Sequence, residues 1–297
     1  MRRISVLSAP SNLGLKPPAP GVEPGVRELP QALLQRDLLS RLSASYIGEV
    51  SPPSYDQRPD PFTGVRNELA IRSYALEFAE RMGSLLDSAS FPLILGGDCS
   101  ILLGSSLCLK RRGRFGLLFM DGHTDLLTPE TSESGGVAGM DLAIVTGTGT
   151  DALTSIDGLK PYVRADDVVV FGFRWPQQQD PSPAHPKPPM LSLPLEAIRR
   201  RGIRAATEQA LEYFGGRDFW LHLDVDVLDP RWMSAVDSPD PGGMSPEELT
   251  AVLKIVLASK QCIGMELTIY DPTLDCSGAG AELLVDLLDA GFMSSGS

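Results

Sequence analysis

The sequence has few basic residues for its size, and this shortage excludes one class of partner. Its 297 residues include 26 lysines and arginines against 38 aspartates and glutamates, so the net charge is −12. Binding to nucleic-acid phosphates needs a basic surface, and we therefore expect no nucleic-acid partner. The same acidity is compatible with a cationic substrate.

Long apolar runs and paired cysteine motifs are also missing. No apolar stretch approaches the roughly 20 residues that a membrane span requires. Residues 1–10 hold only a short apolar run, which is typical of a first strand rather than a secretion signal. The four cysteines form no CxxC pair, so a disulfide framework is not expected. We predict a cytoplasmic protein without a membrane partner.

Short apolar runs alternate with amphipathic segments along the whole chain. This alternation predicts an α/β fold of three layers, α/β/α, with a central, mostly parallel sheet in one domain over residues 1–297. Three Pro-rich loops interrupt the pattern, at 16–30, 51–64 and 176–189. Strands are predicted at 4–8, 46–50, 91–95, 115–120, 168–173, 219–223 and 262–270, and helices at 68–86, 100–112, 196–201, 207–214, from 245 onward, and at 281–288.

Three short polar segments follow predicted strands and carry metal-ligand spacing. They read GGDCS at 96–100, DGHTD at 121–125 and DVDVLDP at 224–230. A single D-x-D after a strand is usually a capped turn, but the carboxyl edge of an open parallel sheet is where ligands bind. Three such segments together predict two divalent ions that share carboxylates. The candidate ligands are Cys99, Asp121, His123, Asp125, Asp224 and Asp226.

With these motifs in order, the chain resembles the ureohydrolase family of arginases, agmatinases and formimidoylglutamases. The family pattern is GGDHS, DAHxD, a D-x-D followed by DP, and a Pro-Gly-Gly turn, here residues 238–243. The resemblance implies two manganese ions bridged by Asp121 and Asp224. Cys99 and Asp125 would complete one ion's ligands, and His123 and Asp226 the other's.

The resemblance also implies a reaction. Two ions that share a water lower its pKa, and the resulting hydroxide would attack the central carbon of a guanidino or amidino substrate and break a C–N bond. Asp125 would both bind its ion and accept a hydrogen bond from the nucleophile. A homo-oligomer, trimer or hexamer, follows from the family analogy alone.

Cys99 stands where the family has a histidine, and two interpretations remain open. The thiol packs in the core while one ion is lost or loosely held, or the thiolate binds metal. A thiolate is a softer ligand than an imidazole or a carboxylate, so ligation by Cys99 would shift the metal preference of the site from manganese toward zinc, iron, cobalt or nickel. We favour ligation, because every other ligand position is retained.

The histidine that serves arginases as a proton shuttle is also missing. Ala138 occupies its position, and the chain has only three histidines. His123 is a predicted ligand, His222 is expected to be a core or supporting residue, and His185 lies in a Pro-rich loop and is expected to be exposed. The proton shuttle is therefore absent or supplied by another group. A poorer shuttle would slow the expulsion of a basic amine most.

The glutamate that faces the guanidinium in the family is replaced by Ile269. Glu266 lies three residues earlier and has the opposite strand parity, so it could substitute only through a bulge. Otherwise it is a buried structural acid. Asp240 and Asp237 in the Pro-Gly-Gly loop are alternative partners for a cation.

The residues that read the substrate's amino-acid end differ as well. Gly136 stands where arginases have an asparagine and Trp175 where an acid is expected, whereas Ser134 is retained. With Ser238, these form the predicted substrate contacts. Trp175 suggests an apolar or planar group, but packing explains it equally well. We therefore predict a modified arginine or another guanidino compound rather than arginine.

Two other functions compete with the hydrolase. The first is a non-catalytic binding or assembly subunit that keeps the metal-site scaffold after losing the shuttle and the glutamate. The second is a metal-dependent deacetylase, against which the paired D-x-H-x-D and D-x-D segments argue.

Overall fold

A computed structural model of the chain describes residues 2–174 and 189–293. Eight strands in these residues form a single sheet, and every strand pairing in it is parallel. The strands are β1 Ile4–Ala9, β2 Ser45–Glu49, β3 Phe91–Gly96, β4 Gly116–Met120, β5 Val168–Phe171, β6 Leu191–Leu193, β7 Phe219–Asp224 and β8 Cys262–Thr268. Their order across the sheet is β2-β1-β3-β8-β7-β4-β5-β6.

Helices cover both faces of this sheet, as the predicted three-layer α/β/α architecture requires. Alternate residues along β3 enter different cores: Leu93 and Leu95 pack on one face and Ile94 on the other. Because both faces are covered, the central strands are apolar at nearly every position. The helices are α1 Leu29–Leu34, α2 Leu38–Arg41, α3 Glu68–Asp87, α4 Leu102–Arg112, α5 Asp141–Val145, α6 Asp151–Thr154, α7 Leu195–Arg201, α8 Ile203–Tyr213, α9 Pro246–Ala258 and α10 Ala279–Met293.

The structure differs from the sequence predictions at the ends of elements and in five short elements that were not predicted: β6, α1, α2, α5 and α6. Strand β6 was not predicted, because its three residues are too short to show a period. The helix predicted from Ser100 begins instead with a 3₁₀ turn, and its cap is the side chain of Asp98, which accepts a hydrogen bond from Ser100 N. The predicted start at Ser245 is confirmed, with a complete capping box to Glu248.

The sheet order positions the three motifs. Strands β3, β8, β7 and β4 are consecutive neighbours in the middle of the sheet. Because all strands run parallel, the segments after β3, β4 and β7 meet at one edge, together with the residues that follow β8. No helix in the described parts of the chain is long and apolar enough to cross a membrane.

Candidate metal centre

The segments after β4 and β7 bring two aspartates and a histidine together. His123 Nδ1 lies 2.8 Å from Asp226 Oδ2 and 3.7 Å from Asp121 Oδ1. One ligand atom from each of Asp121, His123 and Asp226 falls within 4.8 Å of the others. This group offers two carboxylates and an imidazole to one ion.

A second group lies beside the first and is fully buried. Ligand atoms of Cys99, Asp121 and His222 also lie within 4.8 Å of one another. The Cys99 thiol donates a hydrogen bond to Asp224 Oδ2 at 2.9 Å and lies 3.1 Å from Thr268 Oγ1. Asp121 belongs to both groups, which is the position that a bridging carboxylate would occupy.

The aspartates also stabilise the turns that carry them. Asp121 Oδ1 accepts a hydrogen bond from His123 N at 2.5 Å, and Asp224 Oδ1 accepts one from Asp226 N at 2.8 Å. Asp226 Oδ1 accepts from Gly122 N at 2.9 Å and so ties the second motif to the third. The capped-turn and metal-ligand interpretations of D-x-D are therefore compatible. The outer oxygen of Asp121, Oδ2, has no hydrogen-bond partner among the described residues.

The electrostatics of the cluster favour a cation. Burial raises the pKa of Asp121 to about 6, with the charge of Asp226 adding to the shift. Burial and the neighbouring carboxylates likewise raise the pKa values of Asp125 and Asp224 well above their usual range. Burial lowers the pKa of His123, but Asp226 and Asp240 outweigh it and raise that pKa well above normal.

This surplus of buried carboxylates and the unpartnered Asp121 oxygen fit divalent cations, which would neutralise the repulsion. The donor sets of the two groups also differ. The group around His123 offers oxygens and an imidazole, and the group around Cys99 adds a sulfur. The residues present therefore fit the two ions expected for such a motif set.

A cavity of about 440 Å³ opens over these ligands. Its lining includes the predicted ligands His123, Asp125, Asp224 and Asp226, which we call its floor, whereas Cys99, Asp121 and His222 do not line it and are at most 1% exposed. Asp125 is partly exposed and has a left-handed φ of 45°. The predicted contacts Ser134, Gly136, Ser238 and Asp240 lie on its walls, as do Ala138, Asp237 and Ile269.

Asp240 is an acid of the cavity lining that contacts a predicted ligand. It is 5% exposed, and its Oδ2 lies 3.5 Å from His123 Nε2. The hydrogen bond from His123 is the main reason that the pKa of Asp240 is lowered. Asp240 therefore brings a negative charge to the cavity.

Glu266 does not lie on the cavity, and the structure corrects the expectation that a bulge brings it there. The register between β7 and β8 is regular from Gly264 to Thr268. Glu266 is fully buried, and its carboxylate is hydrogen-bonded to His222 Nδ1 at 2.8 Å and to Ser105 Oγ. Because side chains alternate along a regular strand, Glu266 keeps the orientation that its strand position predicts and does not reach the cavity.

Two positively charged side chains at the cavity were not identified from the sequence. Lys16 is exposed and lies in the first Pro-rich loop, and Arg66 donates a hydrogen bond to the Ser134 carbonyl at 2.7 Å. Neither residue belongs to a motif, so no signal in the sequence pointed to them. Trp175 and His185 lie outside the described residues.

Comparison with known proteins gives the family. The Arginase family model matches residues 2–292. The chain belongs to the arginase family. It is 27% identical to the arginase of Bacillus subtilis over 296 residues, covering 97% of each chain. It is 28% identical to a Staphylococcus aureus arginase over 305 residues, covering 98% of this chain and 97% of that one.

Solved structures agree with this membership. Bacillus caldovelox arginase superposes with a TM-score of 0.87 at 26% identity, covering 98% of both chains. Proclavaminate amidino hydrolase from Streptomyces clavuligerus gives a TM-score of 0.74 at 19% identity, covering 99% of this chain and 93% of that one. The second likeness concerns the fold alone. Both findings confirm the predicted arginase-like α/β fold.

Proposed function

We propose that this arginase-family protein is an amidinohydrolase that cleaves a C–N bond of a linear guanidino compound other than plain arginine. The observation that carries the proposal is the convergence of Asp121, His123, Asp125, Asp224 and Asp226 at or just beneath the floor of one cavity. The proposed class of reaction follows from family membership. The proposal that the substrate is not arginine follows from the residues on the cavity walls.

The cofactor that we propose is a pair of divalent ions, manganese by family analogy, with softer metals favoured at the Cys99 side. When bound, such ions lower the pKa of a water molecule so that a nucleophile is available at neutral pH. Asp125 reaches both the ions and the cavity, so we assign to it the orientation of that nucleophile as well as metal binding. Asp121 and Asp224 would be shared between the ions.

Asp240 is the group that we assign to the substrate's cation. It is ionised at neutral pH, since its pKa is lowered, and it faces the cavity beside His123. Ile269 and Ala138 present apolar surface where arginases have a glutamate and a histidine. Binding of the guanidinium therefore depends on Asp240 rather than on Ile269, and expulsion of the amine proceeds without a histidine at position 138.

The rest of the cavity favours a substrate with an anionic end. Its lining includes the acids Asp125, Asp224 and Asp226 and also the bases Lys16 and Arg66. A guanidino acid would place its cation on the acids and its carboxylate near these bases. Ser134 and Ser238 offer hydroxyls to the same substrate. Gly136 cannot make the side-chain contact that an asparagine makes at this position in arginases.

The test is turnover of a guanidino panel by the metal-loaded protein, with urea, hydroxyurea and the released amine measured. The panel should pair each guanidino acid with its decarboxylated amine analogue. We expect turnover of at least one guanidino acid and a preference for the acid over its analogue. Asp125→Asn should abolish turnover, whereas Asp151→Asn, a change at an exposed acid that does not line the cavity, should leave it unchanged. Failure of every compound with two ions bound would refute the hydrolase proposal.

One observation favours a second candidate, a non-catalytic binding or assembly role. Both wall positions that should carry proton transfer and cation binding, Ala138 and Ile269, are apolar. A protein that had lost catalysis would be free to lose metal affinity, so metal well below two ions per chain would favour this role. By family analogy we also propose that the protein forms a trimer or hexamer. Size-exclusion chromatography coupled to light scattering would measure this oligomeric state.

A further inference from the structure

His222 occupies an unusual position for a histidine. It lies on β7 with both faces of the sheet covered, and it is 0% exposed. Its neighbours in register are Phe119 on β4 and Glu266 on β8. Phe119 stacks on its ring, with centroids 4.8 Å apart and planes 8° from parallel. The ring is therefore fixed between an apolar wall and a carboxylate.

The two nitrogens of the ring have different surroundings. Nδ1 lies 2.8 Å from Glu266 Oε1, and the other oxygen of Glu266 accepts a hydrogen bond from Ser105 on α4. In the tautomer that carries its proton on Nδ1, the ring donates a hydrogen bond to Glu266, and the lone pair is then on Nε2. Nε2 has no hydrogen-bond partner among the described residues. Asp141 Oδ2 is 3.9 Å from Nε2, beyond hydrogen-bond reach.

The free nitrogen belongs to a group of potential ligands. A ring nitrogen of His222, Cys99 Sγ and an oxygen of Asp121 lie within 4.8 Å of one another, and Nε2 is the nitrogen that Glu266 leaves available. A buried polar nitrogen without a partner is costly. Metal-binding histidines usually donate their second nitrogen to a carboxylate, as His222 does toward Glu266. The arrangement of Ser105, Glu266 and His222 is thus the support that a metal-binding histidine requires.

We propose that His222 Nε2, together with Cys99 Sγ and Asp121, binds one of the two ions, and that this pair selects zinc, cobalt or iron over manganese there. The proposal rests on the metal centre of the proposed function and adds a ligand to it. Thiolate and imidazole together form a softer donor set than the carboxylates around His123. Glu266 is accordingly a positioning residue for His222.

The decisive experiment uses the unaltered protein, crystallised with zinc and measured by anomalous diffraction. We expect a peak about 2.0–2.1 Å from His222 Nε2 and about 2.3 Å from Cys99 Sγ, the distances of zinc–imidazole and zinc–thiolate bonds. An ion at Cys99 that lies beyond 3 Å from Nε2, a water between Nε2 and Asp141, or no ion at Cys99 would each overturn the assignment. This measurement needs no variant to fold.

Variants test the same assignment in solution through metal content and cobalt absorption. The double variant His222→Phe/Glu266→Gln removes the nitrogen without leaving an unpaired buried carboxylate. It should retain one ion per chain and lose the thiolate–cobalt charge-transfer band. Thr268→Val is the matched control, because it alters a neighbour of Cys99 at constant shape without removing a ligand. It should retain two ions and the band.

The role of Glu266 is tested by Glu266→Gln alone. The amide still occupies the space beside His222 but replaces one of the two acceptor oxygens of the carboxylate with an NH₂ donor. We expect a 10- to 100-fold loss of zinc affinity and a smaller loss of manganese affinity. Equal losses for both metals, or none, would contradict the proposal. Zinc bound at Cys99 and His222 without any turnover would refute the proposed function and leave this assignment standing.

Discussion

Single residues decide what the cavity can bind, and Gly136 is the clearest case. A Cβ at this position would lie 2.6 Å from the carbonyl oxygen of Gly14, which is backbone and cannot rotate away. The chain therefore excludes any side chain here with its present backbone. The loop thus has no space for an asparagine at this position, and the hydrogen bonds of that side chain are missing as well.

Gly136→Ala tests this steric limit. We expect a loss of about 1–3 kcal/mol in the free energy of unfolding, the usual cost of overpacking, measured by urea denaturation. Gly139→Ala is the matched control from the same segment, since its Cβ would meet only Leu127 Cδ1 at an ordinary 3.6 Å. Equal effects of the two changes would show that the loop adjusts freely.

Ile269 combines an apolar side chain with a strained backbone. Its φ is 78°, which is rare for a β-branched residue and occurs mainly at functional sites. Its N–H is held by the Gly97 carbonyl at 2.7 Å. The side chain thus faces the cavity at the position from which arginases present a glutamate.

Ile269→Glu should tighten the binding of guanidinium, because it adds a carboxylate to the cavity wall. We expect a gain of several-fold to tenfold in affinity for free guanidine, measured by isothermal titration calorimetry. Ile269→Gln, of the same size and without charge, should show no such gain. A gain in both variants, or in neither, would mean that this position does not face the cation.

At the scale of secondary-structure elements, Asp229 stabilises the turn between β7 and α9. Asp229 accepts hydrogen bonds from Gly242 N at 2.8 Å and from the backbone and side chain of Arg231. These contacts lower its pKa to about 2, with the Arg231 side chain as the largest cause. The turn carries Asp240 and Ser238, so Asp229 stabilises a wall of the cavity.

The sign of the pH dependence follows from this lowered pKa. Asp229 contributes stability above the pKa of an unfolded aspartate, near 4, and the contribution disappears as the pH falls toward 2. We expect Asp229→Asn to cost roughly 1–2 kcal/mol at pH 7, a value discounted because Arg231 is exposed. In urea denaturation, the difference from the wild type should shrink as the pH falls below 4 and vanish only once the pH is below 2. Asp151→Asn, at an exposed acid, should cost less than about 0.5 kcal/mol at any pH.

The sequence predicted those elements whose physics is local. Capping at Ser245, the period of α3 and the apolar runs of the central strands were readable, because each depends on neighbouring residues. Strand β6 could not be predicted in this way, because it is defined by its pairing with β5, a strand about twenty residues earlier in the sequence. The same limit applied to the site: spacing predicted the ligand motifs, whereas the pairing of His222 with Glu266 depends on the register of two strands far apart in the sequence.

At the scale of the whole molecule, the sheet concentrates like charges at one edge. Asp121, Asp125 and Asp224 all have raised pKa values there, because burial and mutual repulsion oppose their ionisation. Ions that bind only the folded state stabilise it by mass action. We expect about 2.7 kcal/mol of added stability at a free metal concentration 100 times the Kd, seen as a rise in Tm that excess chelator reverses. A Tm that is independent of metal would contradict this coupling.

The number of ions held per chain tests the central claim most directly, and Asp121 provides the variant, because it is the residue common to both ligand groups. Elemental analysis after equilibrium dialysis should find two divalent ions in the wild type, one in Asp226→Asn and fewer than one in Asp121→Asn. Fewer than one ion in the wild type, or two retained by Asp121→Asn, would contradict a two-ion centre that shares this carboxylate.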